Sequence, residues 1–351
     1  MTSLLWERDG RDWPHREASR FVKAGGLRWH VQQMGQGPVV LLLHGTGAST
    51  HSWRGLMPFL ARQFTVVALD LPGHAFTGTP PSTGFSLPGM ARAVKALVDA
   101  LALDVALVVG HSAGAAIGAR MVLDGQLAPQ ALVSINGAFF PLGGVAGLLF
   151  PPVARLMAAT PFASRLFARS ASDRRAVERL VNGTGSTLDL QGIELYGRLV
   201  RDAQHAAGAL GMMAQWDLRP LSRDLARLAT PLALIVGAND CAVPPGDAQR
   251  VHGLVPAATP SRLDVVAGAG HLVHEERPAE VMTLLLAAAS RLAPSLLWGE
   301  GGGEGSCPPL PSGERVGVRA CELKRRRRRL HQPPLQGAHR IASRCRSAGS
   351  A

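Results

Sequence analysis

The stretch that decides the fold runs from Val105 to Leu123: Val105-Ala106-Leu107-Val108-Val109-Gly110-His111-Ser112-Ala113-Gly114-Ala115-Ala116-Ile117-Gly118-Ala119-Arg120-Met121-Val122-Leu123. An apolar run, Val105 to Val109, gives way to Gly110-His111-Ser112-Ala113-Gly114, and Ala113 to Leu123 then reads as a helix. This is the G-x-S-x-G pattern of a nucleophile elbow. The chain turns from strand to helix so tightly that small residues must flank the serine, and the strained turn holds its hydroxyl above the sheet. So short a pattern arises readily by chance in a chain with 40 glycines. Its weight comes from the strand-like run before it and the helix-like run after it.

Similar units repeat on either side. Val39 to Leu43 ends in His44-Gly45-Thr46-Gly47, and Phe64 to Leu69 ends in Asp70-Leu71-Pro72-Gly73-His74. Ala131 to Ile135 ends in Asn136-Gly137, Leu232 to Val236 in Gly237-Ala238-Asn239-Asp240, and Leu263 to Val266 in Gly268-Ala269-Gly270-His271. Unbroken Val, Leu and Ile runs suit strands buried on both faces, as in a parallel sheet. Helices are expected at Ser86 to Leu101, with Ser86 as cap, and at Pro278 to Leu292, with Pro278 in the first turn. Phe21 to Lys23 and Leu27 to Gln32 flank Gly25-Gly26 as a leading hairpin. The alternation predicts an α/β architecture with right-handed crossovers: a mostly parallel central sheet with helices on both faces, the α/β-hydrolase fold.

Acid and base follow the serine in the order this fold requires, Ser112, then Asp240 after one strand, then His271 after the next. The imidazole would take the Ser112 proton, and the carboxylate would fix its tautomer and stabilise the imidazolium. His111 and His274 are rival bases; the elbow directs His111 away, and His274 reads as structural. The developing oxyanion needs donors, and the backbone N–H groups of Thr46 and Ala113 are the natural pair, although the 44–47 loop also reads as a plain turn. A dinucleotide site is disfavoured, since Thr50 stands where the third glycine of Gly45-Thr46-Gly47 would fall and no Walker lysine follows. Metal binding by His271 and His274 is disfavoured too, because Glu275 and Glu276 more simply start a helix. No metal or cofactor is expected.

From Ala138 to Leu228 the alternation stops and the composition turns helical, so a cap is expected between core segments 1–137 and 229–293. His44, Phe139, Met212, Met213 and Trp216 are candidates to line an apolar pocket beneath it; the alternative is that the methionines and Trp216 are ordinary cap core. Gly137 to Phe150 is too short and too interrupted to span a bilayer and reads as a lid segment. The first 20 residues carry eight charged side chains and no apolar core of a secretory signal.

The net charge of +12 raises nucleic acid or an anionic membrane as partners. It is concentrated at one end, however. Residues 294–351 hold 11 Lys/Arg and 4 Asp/Glu, and the other 293 residues are close to balanced, with 26 basic and 21 acidic. Nucleic acid is therefore not an expected partner. Cys241 is the only cysteine before residue 294, too few for a disulfide within the body, which reads as cytoplasmic. The end segment, rich in Gly and Pro and holding Lys324 and Arg325 to Arg329, has no hydrophobic period and is expected to be disordered. Its part from Pro294 to Arg319 resembles translated intergenic repeats of GC-rich bacterial genomes and suggests read-through; an arm for an anionic partner is the alternative.

Asp12-Trp13-Pro14-His15, Leu43-His44-Gly45-Thr46-Gly47-Ala48, Gly211-Met212-Met213-Ala214-Gln215-Trp216-Asp217-Leu218 and Gly270-His271-Leu272-Val273-His274-Glu275-Glu276-Arg277-Pro278, together with the elbow and Asp70-Leu71-Pro72-Gly73-His74, narrow the reading further. Over about residues 6–293 the chain resembles the magnesium-chelatase accessory family of photosynthetic bacteria, α/β-hydrolase-fold proteins associated with bacteriochlorophyll biosynthesis. Ala75 departs from the glycine common in the superfamily after Asp-Leu-Pro-Gly-His. The resemblance implies a role in magnesium insertion into protoporphyrin, with magnesium chelatase as a partner and an apolar small molecule or porphyrin as ligand. A general serine esterase or amidase, and a porphyrin-binding protein without chemistry, are the competing readings. The full Ser112–Asp240–His271 set argues against the last.

Removing residues 294–351 is expected to leave the melting temperature unchanged and to weaken binding to polyanions such as heparin. Calorimetry and salt-dependent heparin chromatography of the two chain lengths check this. A clear drop in melting temperature would contradict it.

Overall fold

The computed structural model describes residues 4–141 and 173–293. Residues 142–172, which include most of the expected lid segment, and the expected disordered end at 294–351 lie outside the described residues.

The described strands form one sheet in the order β1-β2-β4-β3-β5-β6-β7-β8: β1 Ser19–Ala24, β2 Leu27–Met34, β3 Val39–Leu43, β4 Thr65–Leu69, β5 Val105–His111, β6 Ala131–Ile135, β7 Leu232–Gly237 and β8 Ser261–Val266. The hairpin β1–β2 joins antiparallel, β2 pairs antiparallel with β4, and all other pairings are parallel. The family of the fold is thus visible in the sheet: mostly parallel, entered through an antiparallel edge.

The apolar runs of the sequence fall where burial is greatest. In β6 and β7 every residue is buried, and in β3 all but Val39. One face of the sheet packs Leu41, Leu43, Val108 and Leu132 against α3, Leu87–Ala100, and α4, Ala113–Leu123. The other packs Val40, Leu42, Val109 and Val133 against Trp53, Leu56, Val281 and Leu285. Alternate residues of the same strands therefore serve two different cores, which is why the buried runs are almost wholly apolar, Ser134 of β6 being a buried polar exception.

Expectations from the sequence hold at the helix ends. Ser86 caps α3, its side chain accepting from the Gly89 N–H at 3.2 Å, and the last helix begins at Pro278 and ends at Leu292. Strand β8 starts at Ser261 rather than Leu263, because this edge strand is only half buried and tolerates Ser261, Arg262 and Asp264. Where the alternation stops, the described residues form helices α5 Arg174–Asn182, α6 Leu190–Arg201, α7 Ala203–Ala214 and α8 Arg219–Asp224.

Asp70 shows how the core is closed behind the loops. Its side chain is fully buried and accepts from His30 Nδ1 at 2.8 Å, Thr50 N at 2.8 Å and Phe76 N at 3.2 Å, tying β2, the 50–53 turn and the 71–78 loop together. Burial opposes its ionisation, but His30 and the backbone donors hold its carboxyl at about 2. Because the folded value lies below the unfolded one, this contribution is present above about pH 4 and disappears as the pH falls toward 2. Asp70→Asn is expected to cost about 3 kcal/mol at neutral pH and to flatten the acid limb of stability between those values. Urea unfolding of both proteins across that range measures it, and an unchanged acid limb would refute the assignment.

Candidate active site

The elbow is built by close backbone approach. Ser112 sits at φ +51°, in the left-handed region, between the end of β5 and the first turn of α4. Its N–H donates to Ile135 O at 2.9 Å, and its carbonyl accepts from Ala115 N at 3.2 Å and Ala138 N at 3.1 Å. A side chain at Gly110 would meet Ala115 N at 2.4 Å, and one at Gly114 would meet Leu43 O at 2.0 Å. The spacing of the two glycines is thus fixed by how closely α4 must approach β3 and β5. Such strain persists only where surrounding contacts impose it.

Asp240, in the turn after β7, offers its carboxylate to four donors. Oδ1 accepts from Ala242 N and Val243 N, both at 2.8 Å. Oδ2 accepts from His271 Nδ1 at 2.8 Å and Asn136 Nδ2 at 2.5 Å. With its proton on Nδ1, His271 keeps a lone pair on Nε2. Ser112 and His271 line the same cavity, of about 270 Å³. Among the described residues the backbone N–H groups of Thr46 and Ala113 have no acceptor; Ala113 is the first residue of α4, where helical N–H groups are free by geometry.

The rival histidines are committed to other partners, although His111 also touches the cavity wall. His111 is buried beneath the turn, and its Nε2–H donates to the backbone carbonyl of His271 at 2.9 Å. His274 is fully buried against Trp53 and His111. Of the expected pocket residues, Met213 lines the cavity. Met212 is buried one position away, its sulfur accepting from Thr46 Oγ1 at 3.4 Å. Phe139 is buried in the core and Trp216 packs against that core rather than into the cavity. His44 is fully buried, donating from Nδ1 to Gly45 O and accepting at Nε2 from Leu71 N, both at 2.8 Å. It shapes the 45–47 loop from behind and is not part of the cavity wall.

Sequence reasoning missed several residues. Asn136 joins β6 to Asp240, its Oδ1 accepting from Gly237 N at 3.3 Å. It sits at φ +46°, a conformation that asparagine tolerates better than most residues, and the Asn-Gly pair after a strand was its one visible signal. The 183–188 segment after α5 runs between the acid and base loops: Thr184 O accepts from Cys241 N and His271 N, and Ser186 Oγ accepts from Leu272 N. Tyr196 and His205, from α6 and α7, line the cavity as well. Tyr196 donates to Glu275 Oε1 at 2.8 Å, and Arg54 Nη1 donates to Glu275 Oε2 at 2.5 Å. Burial raises the Glu275 carboxyl to about 7 against the pull of Arg54 and Tyr196.

Comparison with known proteins agrees with this fold. The family model described as the alpha/beta hydrolase fold matches residues 38–278. The "Magnesium-chelatase 30 kDa subunit" of Rhodobacter capsulatus is 40% identical over 266 residues, covering 75% of this chain and 92% of that protein. The chain belongs to the magnesium-chelatase 30 kDa subunit family of α/β hydrolases. Solved structures share the fold. An α/β-hydrolase-fold protein from Burkholderia ambifaria superposes with a TM-score of 0.65 at 24% identity, covering 77% of this chain and 97% of that one. The epoxide hydrolase CorEH also gives 0.65, at 25% identity over 78% and 99% of the two chains. Among the described residues, no helix is long and apolar enough to cross a membrane.

Buried histidines set the pH response of this family member. Burial pushes His44, His74 and His274 down to about 3 and His205 to about 4, and it also lowers His51 and His111 well below 6.5. The unfolded chain binds protons at these residues near pH 6.5 while the folded protein does not. Stability is therefore fully present above that pH and is lost as pH falls toward 4, at up to about 1.4 kcal/mol per pH unit for each histidine. The Glu275 shift acts oppositely but involves one group. Denaturant midpoints at successive pH values from 8 to 5 should fall steeply below 6.5; a flat profile would mean that these rings are protonated in the fold.

Proposed function

We propose that this protein is a serine hydrolase acting as an accessory of magnesium insertion into protoporphyrin in bacteriochlorophyll biosynthesis. The observation that carries the chemistry is Ser112, at positive φ, lining the same cavity as His271, whose other ring nitrogen is hydrogen-bonded to Asp240. The pathway is supported by the 40% identity to a protein named as a magnesium-chelatase subunit, which also makes the chelatase the partner to test.

In this reading Ser112 Oγ attacks an acyl carbonyl while its proton passes to His271 Nε2. The oxyanion accepts hydrogen bonds from Thr46 N and Ala113 N, donors that need no reorganisation because neither has another acceptor. The tetrahedral intermediate collapses to an acyl-serine, and the leaving group departs with the proton from His271. Water attacks the acyl carbon, with His271 as base, to release the acid and restore Ser112. Asp240 holds the Nδ1–H tautomer throughout and stabilises the imidazolium. Asn136 and the two backbone N–H groups fix the carboxylate, acting through Asp240 and not on the substrate.

A fluorophosphonate probe should label wild-type protein at Ser112, and Ser112→Ala should abolish labelling with an unchanged circular dichroism spectrum. Asp240→Asn should slow labelling by at least about 100-fold. Peptide mass spectrometry that places the adduct on another residue, or labelling that survives in Ser112→Ala, would sink the assignment. Affinity capture of chelatase subunits on the Ser112→Ala protein tests the partner separately.

A further inference from the structure

The cavity above Ser112 is small, and among the described residues no charged side chain lines it. At about 270 Å³ it falls just below the range of roughly 300–1,000 Å³ typical of sites that enclose a drug-sized ligand. A porphyrin is larger than such ligands and would not be enclosed by these walls. The walls farthest from the turn are hydrocarbon: Val181 from α5, Val200 from α6, Ala209, Leu210 and Met213 from α7. Among the described residues no Asp, Glu, Lys or Arg lines it.

Most of the polar groups that do line it are already engaged. His205 donates from Nε2 to Gly47 O at 3.1 Å and accepts at Nδ1 from Ala75 N at 3.0 Å. Tyr196 gives its proton to Glu275, and Thr184 gives its own to Val181 O at 2.7 Å. Burial and Glu275 both push the Tyr196 phenol well above its ordinary value, so that it too stays uncharged. The backbone N–H groups of Thr46 and Ala113, beside Ser112, have no acceptor among the described residues and are open to a ligand. A carboxylate held deeper in the cavity would be desolvated with no cation to face it. Leu180 lines the cavity yet is 50% exposed, and so marks the side on which it opens.

We infer that the site takes neutral carboxylic esters bearing one compact apolar group beside the reacting carbonyl, and rejects free acids and intact macrocycles. This rests on Ser112 as nucleophile. A large ligand could present only an esterified arm, with its body outside at the Leu180 rim. The ester is split as above: the acyl C–O bond breaks, water supplies OH to the acid and H to the alcohol, and no co-reactant is needed.

The full chain should be assayed with p-nitrophenyl acetate, butyrate, hexanoate, octanoate, dodecanoate and palmitate, and with the monoanionic p-nitrophenyl succinate. We expect kcat/KM to peak between butyrate and octanoate and to be at least ~10-fold lower for palmitate. The succinate ester should lie at least ~100-fold below butyrate, since its carboxylate would be buried unpaired. Leu210→Ala should move the optimum to longer chains and Ala209→Phe to shorter ones; the wild-type profile tests the claim even if either variant fails to fold. Palmitate preferred over hexanoate, succinate equal to butyrate, or competitive inhibition by micromolar protoporphyrin would each overturn the inference. No turnover of any ester by protein whose Ser112 is labelled by fluorophosphonate overturns the substrate class and leaves the nucleophile standing. Absence of both overturns the nucleophile, and the inference with it.

Discussion

The structure depends on one close approach, the packing of the first turn of α4 against the ends of β3 and β5. Gly114 lies against the Leu43 carbonyl and Gly110 against the Ala115 backbone, so the chain between them has room only for a turn with Ser112 at φ +51°. Three consequences follow from that single constraint. The serine side chain is lifted from the sheet into the cavity, the first N–H of α4 is left free beside it, and the Ser112 carbonyl accepts from Ala138 N. The strain is sustained by strands buried on both faces, whose ladder bonds cannot be exchanged for water.

Asp240 and His271 are positioned by the same sheet but held by different means. Asp240 is fixed by its own turn, through Ala242 and Val243, and by Asn136 from the neighbouring strand end. His271 is held at its backbone from two directions, by His111 Nε2 on its carbonyl and by Thr184 O on its N–H. The elbow histidine that looked like a rival base is thus a support for the base. Gly270 is required here because a side chain would meet the Gly185 backbone at 2.2 Å, where the 183–188 segment passes between the two loops. The cavity, the base and the helices above it form one packed unit, so a change in the 183–188 segment should alter His271 geometry without touching substrate.

The sheet was legible because it rests on strong local signals. Continuous Val and Leu runs mark strands buried on both faces, and β3, β6, α4 and the helix from Pro278 to Leu292 lie where those signals put them. Edge strand β8 was read short because half-buried strands carry polar residues. Helix α9, Pro245–Leu254, was not read at all: Gly246 and Gly253 interrupt it and only Ala248 and Val251 are buried. The cavity was the least legible part. Composition placed two methionines near it, but adjacent helical residues point about 100° apart, and Met213 alone lines it while Met212 faces the core. His44 was expected to line the pocket, whereas both of its nitrogens serve backbone groups. Tyr196, the single tyrosine of the chain, and His205 gave no sequence signal, because their places are set by tertiary packing alone.

The central claim is that Ser112 Oγ, Thr46 N, Ala113 N and His271 converge on one reacting carbon. A crystal structure of the fluorophosphonate adduct tests this most directly. The account predicts phosphorus bonded to Ser112 Oγ, its oxygen within about 3 Å of both backbone nitrogens, and His271 still hydrogen-bonded to Asp240. An adduct oxygen turned toward solvent or toward the α7 helix, with Thr46 N and Ala113 N left empty, would contradict it.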